Sequence, residues 1–368
     1  MSATAQASLP ATLQTSINLC HQFAASLAPD AAVDVPRSDA NADSPLPLLN
    51  AAATTLKAQV TKLSLLAITA PFTPSAVASC LFPLNESILT SLVTAALLTT
   101  AELFTPSFSA ECRNLTATSL RDMKTLLELL KVRSSASNLT TAPRDLDKKA
   151  FTEATGKIWD DCDRLAPLAS DGVPGFVVRK SKQWLELMKD AVKELEEWDP
   201  EDDVIGDDLL GHHSDEEESD DPGEKEDIDD RAAISAGVKE QALKVLNRIP
   251  QSIHVVIKQR LEKISSDQDC SLSLAAELDK LLTRTRSISE LIDESAEGMY
   301  LGDLELCLKK AGEARATTIE VVESVIKPFP QRRDSAAVSM ETKEDKYVHR
   351  ALEWIRQVDP GAYPRKPS

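Results

Sequence analysis

Glycine is missing from the first 155 residues; the earliest of the eleven is Gly156. A Rossmann turn, a phosphate-binding loop or a nucleophile elbow needs glycine where the backbone meets phosphate or bends sharply, so this stretch holds none of them. Aromatic residues are also scarce, at 4 %. The apolar residues are mostly Leu, Ala and Val, a set suited to helix packing rather than to a β-sandwich. The six cysteines are never closer than 32 residues, which excludes a CxxC pair or zinc-knuckle spacing. Scattered single cysteines on apolar helix faces act as small core residues in a reducing compartment. No Lys or Arg precedes Arg37, so a secretory leader would lack its basic start. No apolar run approaches 18 residues, and no membrane span is expected.

One feature is abundant. Between Glu196 and Asp230 stand nineteen acidic residues against a single base, Lys225. Elsewhere acids and bases balance at 40 each, so the net charge of −18 belongs to this segment alone. A run this dense repels itself and has little to bury, and it is expected to be disordered. It reads as an acidic linker over 199–230, between an N-terminal helical bundle over 1–198 and a C-terminal one over 231–368.

Outside the linker the hydrophobic period is helical. Leu13, Ile17, Cys20 and Leu27 mark a first helix, with Pro10 near its start. A second runs from about Leu48 to Pro71 on Leu49, Ala52, Leu56, Leu63 and Leu66. Thr73-Pro74 reads as a cap and first-turn proline, and Pro83 should kink the helix that follows. Another helix after Pro106 carries Cys112, Leu115, Met123, Leu127 and Leu130. The next, with Ile158, Cys162 and Leu165, is broken by Gly172-Val-Pro-Gly175. Trp184, Met188, Ala191, Leu195 and Trp198 then form a coiled-coil-like seam ending before Pro200. Past the linker, helices resume near Arg231, and Pro250 kinks or divides the first. Two further seams follow: Leu278, Leu281, Thr285, Ile288, Ile292, Ser295, Met299, and Leu304, Cys307, Ala311, Ala314, Thr318, Val321, Val325. A short helix on Val348, Leu352 and Ile355 closes the chain. The expected fold is all-α, two antiparallel bundles joined by the acidic segment.

Catalytic and ligand-binding chemistry is thinly represented. His212-His213 beside Ser214-Asp-Glu-Glu-Glu218 offers a divalent ion no fixed geometry, and His254 and His349 lack HExxH spacing. No metal, cofactor or catalytic residue is expected, and the chain reads as a non-enzyme. Nucleic acid needs a basic footprint, and Arg179-Lys180-x-Lys182 and Lys309-Lys310 are each interleaved with acids, so no direct nucleic-acid binding is expected. Ser214, with Glu217 three residues on, suits an acidophilic kinase; Ser335, two residues after Arg333, suits a basophilic one.

Two stretches carry a family resemblance. Leu185 to Pro200, LELMKDAVKELEEWDP, ends in acids and Asp-Pro ahead of the acidic run. Ala276 to Tyr300, AELDKLLTRTRSISELIDESAEGMY, ends in a small residue and a tyrosine. With the overall length and the mid-chain acidic interruption, these resemble the cyclin-D-binding protein family, also called GCIP. The resemblance implies a helical two-part protein related to talin and vinculin rod bundles. It implies a binding protein of nucleus and cytoplasm that contacts cyclin D and helix-loop-helix regulators and restrains cell-cycle progression. The expectation is a monomer that uses helix faces to hold protein partners, with no membrane. The alternative is a talin-like cytoskeletal adaptor without a cell-cycle role.

Overall fold

Prolines and caps set several of the helix starts. The computed structural model describes residues 8–29, 31, 44–136, 139–199, 222–264, 270–329 and 342–361. Every regular element among them is helical. The chain forms two compact units, Met1–Phe176 with Cys270–Ala275, and Val177–Asp269 with Ala276–Ser368.

In the first unit, α1 (Leu9–Ser26) and α2 (Leu46–Ile68) each open with proline in the first turn, where its missing N–H costs nothing. α3 (Pro74–Pro83) also starts on proline, but Thr73 does not cap it: its hydroxyl donates to the Pro71 carbonyl at 3.3 Å. The expected disturbance at Pro83 takes the form of a π-helical turn, Leu84–Ile88, before α4 (Leu89–Leu98). A wider turn accommodates the carbonyl that a proline leaves without its partner. Thr105 caps α5 (Pro106–Ser134) by accepting from the Phe108 N–H. α1 packs on α5 and α3, and α2 on α3 and α4, so the first helix lies in the first unit. Gln59 ties α2 to α3 by donating to the Cys80 carbonyl at 2.7 Å.

α6 (Asp145–Glu197) is a long helical run interrupted at Gly172, where φ is 60° and ψ is −156°. That left-handed backbone is open to glycine and strained for other residues. The expected break at Gly172-Val-Pro-Gly175 is therefore present as a kink. Residues 145–176 belong to the first unit and 177–197 to the second, although the sequence reading groups all of them with the first bundle. In the first unit Lys57 bridges to Asp163 at 2.6 Å, and Phe176 meets the buried Phe108 edge-on at 5.5 Å.

The second unit also contains α7 (Pro222–Leu246), α8 (Arg248–Gln259), α9 (Leu272–Tyr300) from Ala276 on, α10 (Leu304–Ser324) and α11 (Lys343–Arg356). α7 begins at Pro222, earlier than the Arg231 expected from periodicity. Pro250 falls in the first turn of α8 and so divides two helices rather than kinking one. The seam residues of α9 are all buried, and so are those of α10 except Leu304, which is half-buried. At the α9–α10 turn, a Cβ on Gly298 would meet the Cys307 backbone nitrogen at 2.9 Å, so only glycine allows this approach. In α6 the buried face is Leu185, Met188, Val192 and Leu195, while Trp184 and Ala191 are half-buried. The seam is rotated by about one position from the one read in the sequence.

Pro74–Leu98 is long and apolar enough, by length and composition, to cross a membrane. The expectation that no apolar run approaches 18 residues does not hold for this stretch, where Ser, Thr, Pro, Asn and Glu86 are diluted by leucine, alanine and valine. Leu81, Leu84, Leu89 and Leu92 are fully buried within the first unit, as in a core helix.

Candidate functional site

The stretch of α6 from Lys189 to Glu196, α8 and α11 line a groove of about 910 Å³ in the second unit. Each helix contributes a stripe at helical spacing: Lys189, Val192, Lys193 and Glu196 from α6; Asn247, Pro250, Gln251 and His254, with Val255 beside them, from α8 and the residue before it; Tyr347, Arg350, Ala351 and Trp354 from α11. These are i, i+3, i+4, i+7 sets, so the trough extends along the helix axes for roughly 10–15 Å at 1.5 Å per residue. Val192, Pro250 and Ala351 are buried in the floor, Val255 and Trp354 are half-buried, and the polar members are exposed along the rim.

Three arginines fix the α11 wall. Arg248 donates to the Trp354 carbonyl at 2.6 Å, and Arg315 donates to the Arg356 carbonyl at 3.0 Å. Carbonyls at a helix C-terminus lack intrahelical partners and attract cations, so these contacts anchor that end. At the other end the buried Arg260 bridges to Asp345 at 2.7 Å and donates to the carbonyls of Val325 and Ile326 at 2.7 and 2.8 Å. Asp345 is also the third residue of a capping box with Thr342. The Thr342 N–H, the burial-opposed hydrogen bond with its hydroxyl and the Arg260 guanidinium hold the Asp345 carboxyl below the usual range.

The same contacts give the helix directions. Arg248 at the start of α8 meets the end of α11, and Arg260 past its end meets the start of α11, so the two are antiparallel. Lys182 of α6 pairs with Glu262, just beyond α8, at 2.7 Å, so α6 also runs against α8. Lys189 and His254 therefore lie toward one end of the groove and Glu196 toward the other, with Arg350 one turn nearer the first end than Glu353. Arg350 and Glu353 have no ion-pair partner among the described residues.

Residues 48–201 match the family model described as Grap2 and cyclin-D-interacting, N-terminal. Through this region, less than half of its length, the chain is similar to that family's N-terminal domain. No curated protein matches the sequence. The matched region covers the α6 wall of the groove, Lys189 to Glu196, and stops before α8 and α11. Ser214 and Ser335 lie outside the described residues, as do His212 and His213. His21, His254 and His349 are exposed, and of these His254 lines the groove. Cys20, Cys112, Cys162 and Cys307 are buried, and burial pushes the Cys20 and Cys162 thiols up to about 12. Thiols so hard to ionise are poor nucleophiles, as core residues should be.

Sequence reasoning expected helix faces to hold protein partners but assigned no residue to this groove. The walls come from segments more than fifty residues apart along the chain, and no local pattern pairs them. It also missed Asp161, which is buried on α6 with Oδ2 lacking a hydrogen-bond partner. Burial first, and the neighbouring Asp122 carboxylate second, push its carboxyl up to about 6.

Proposed function

We propose that this chain is a non-enzymatic interaction protein that restrains cell-cycle progression or transcription by occupying a cyclin-D-like or helix-loop-helix partner. The match of residues 48–201 to a cyclin-D-interacting domain carries this reading. The all-helical fold and the stripe-lined groove support it, because a helix face seated in such a groove is a recurring mode of protein recognition. The protein acts as a monomer in nucleus and cytoplasm, without cofactor, and Ser214 and Ser335 are its candidate phosphorylation sites. Abundance and binding surface matter under this reading, and turnover does not. Overexpression should slow entry into S phase, and immobilised full-length protein should capture a D-type cyclin or a helix-loop-helix protein. Both effects should survive replacement of every histidine, since no step needs a general base. A substrate conversion abolished by a single His→Ala change would replace this reading with an enzyme.

A further inference from the structure

The groove of the second unit has a property that the family match does not supply: its charge is polarised along its length. One end carries Lys189 and His254 and the other Glu196, and on α11 Arg350 lies one turn, about 4.5 Å, nearer the first end than Glu353. Lys189 is partly neutralised by Glu186 at 2.7 Å, and Lys193 has Glu197 at 3.6 Å. Arg350 and Glu353, by contrast, have no ion-pair partner among the described residues, and both are exposed on the same helix. Between the two ends lies an apolar floor of Val192, Val255, Ala351 and Trp354. The Arg248 guanidinium lies 5.0 Å from the Trp354 ring, and its hydrogen bond to the Trp354 carbonyl further fixes that residue.

We infer that this groove docks an amphipathic helix of a partner protein, two to three turns long, with acidic residues flanking one end of its apolar ridge and basic residues the other. The inference rests on the interaction-protein reading above and specifies the partner's chemistry. Three features select such a helix. The stripes repeat at i, i+3, i+4 and i+7, the spacing at which a helix ridge meets a groove. The roughly 10–15 Å of lined length takes two to three turns at 5.4 Å per turn. The charges oppose one another end to end, so a uniformly acidic or uniformly basic helix meets like charge at one end, and like-charge juxtaposition rejects wrong partners. A helix whose two ends differ in sign satisfies both ends in one of its two docking directions.

The test uses the full chain and four synthetic 14-residue helical peptides that share one leucine ridge. Their flanks are acidic then basic, basic then acidic, all acidic, or all basic. Binding is read by fluorescence anisotropy at low and physiological salt. Both bipolar peptides should bind at least about tenfold more tightly than either uniform peptide. Arg350→Glu should remove that preference, and Arg350→Glu/Glu353→Arg, which keeps the net charge, should also weaken bipolar binding. Both positions are exposed, so thermal melting should not change, and Arg350→Lys should retain binding. Equal affinity for all four peptides, tighter binding of a uniform one, or indifference to Arg350→Glu would overturn the inference. So would saturation of the groove by a small apolar dye that no peptide displaces. Capture of a D-type cyclin separates the two readings. Capture that Arg350→Glu leaves intact sinks the groove assignment and spares the function. Peptide discrimination without capture of any cyclin or helix-loop-helix protein does the reverse.

Discussion

The two units bury charge in opposite ways. In the second, Arg260 is 3 % exposed and its donors meet Asp345, the Val325 carbonyl and the Ile326 carbonyl. In the first, Asp161 is 4 % exposed, has one carboxyl oxygen without a partner, and lies near a second carboxylate, Asp122. Taking a charge out of water is costly in both places. A guanidinium stays charged and must be saturated, so it becomes a clamp between helices. A carboxyl can instead take up a proton, so its environment raises its affinity for one. The first arrangement holds α11, and hence one wall of the groove, at every physiological pH. The second makes the first unit sensitive to pH.

The sharpest way to break this comparison is to remove the clamp. Arg260→Ala leaves the Asp345 carboxylate and two carbonyls without their cation, and should destabilise the second unit by about 3–5 kcal/mol. Native-state hydrogen exchange, read unit by unit, should show the loss in residues 248–259 and 343–356 before any loss in α1 or α5. Equal loss in both units would show that the clamp does not act locally.

Next in size is the apolar core. Leu195 on α6 is fully buried, and Leu195→Ala should cost roughly 2–5 kcal/mol through lost burial and a cavity. Calorimetry checks the magnitude, and light scattering checks the alternative. A variant that melts like wild type but dissociates a dimer would mean that this seam is a zipper between chains.

A smaller effect, of opposite sign, is expected in the first unit. The Asp161 carboxyl ordinarily titrates at 3.8 and in the fold is pushed up to about 6. The folded state therefore holds the proton more tightly than the unfolded chain. Its contribution is fully present below pH 3.8 and is lost as pH rises toward and through about 6. Asp161→Asn keeps the shape without the charge. It should be more stable than wild type at pH 7, by about 1–2 kcal/mol after allowance for solvent screening, and should match it near pH 4. The groups that face Asp161 are Asp122, Asp160 and Arg164. Asp122→Asn should lower the pH at which the difference levels off and make it smaller. A constant difference from pH 4 to 7 would mean that the carboxyl stays ionised throughout.

How much of this was legible in the sequence depends on how far apart the cooperating residues are. The seams of α9 and α10 could be read because burial of a helix stripe repeats within one segment, and Leu278 through Met299 are all in the core. The break at Gly172 could be read because glycine and proline constrain their own backbone. Arg260 could not, because the partners that justify a buried arginine lie 65 to 85 residues away. The groove failed for the same reason, since Lys189, His254 and Arg350 become neighbours only through the directions of three helices. Asp161 sits one position before Cys162 in a segment of mixed charge, and only packing decides which of its acids turns inward.

The smallest expected effect tests whether the clamp depends on the helix start that presents it. Thr342 accepts from the Asp345 N–H at 3.1 Å, and Asp345 Oδ2 accepts from the Thr342 N–H at 2.9 Å. The box satisfies donors that a helix start leaves open, and it holds Oδ1 of Asp345 toward Arg260. Thr342→Ala removes one cap acceptor and the hydroxyl contact to Asp345 but leaves the carboxylate and the guanidinium in place. The expected loss is about 1 kcal/mol, seen as faster exchange in the first turn of α11. Thr342→Ser restores the hydroxyl and should recover most of it. In an Arg260→Ala background the cap can still form but has no guanidinium to orient toward, so the two losses should fall short of additive. Full additivity in that double-mutant cycle would separate cap from clamp and leave Arg260 to position α11 through the Val325 and Ile326 carbonyls alone.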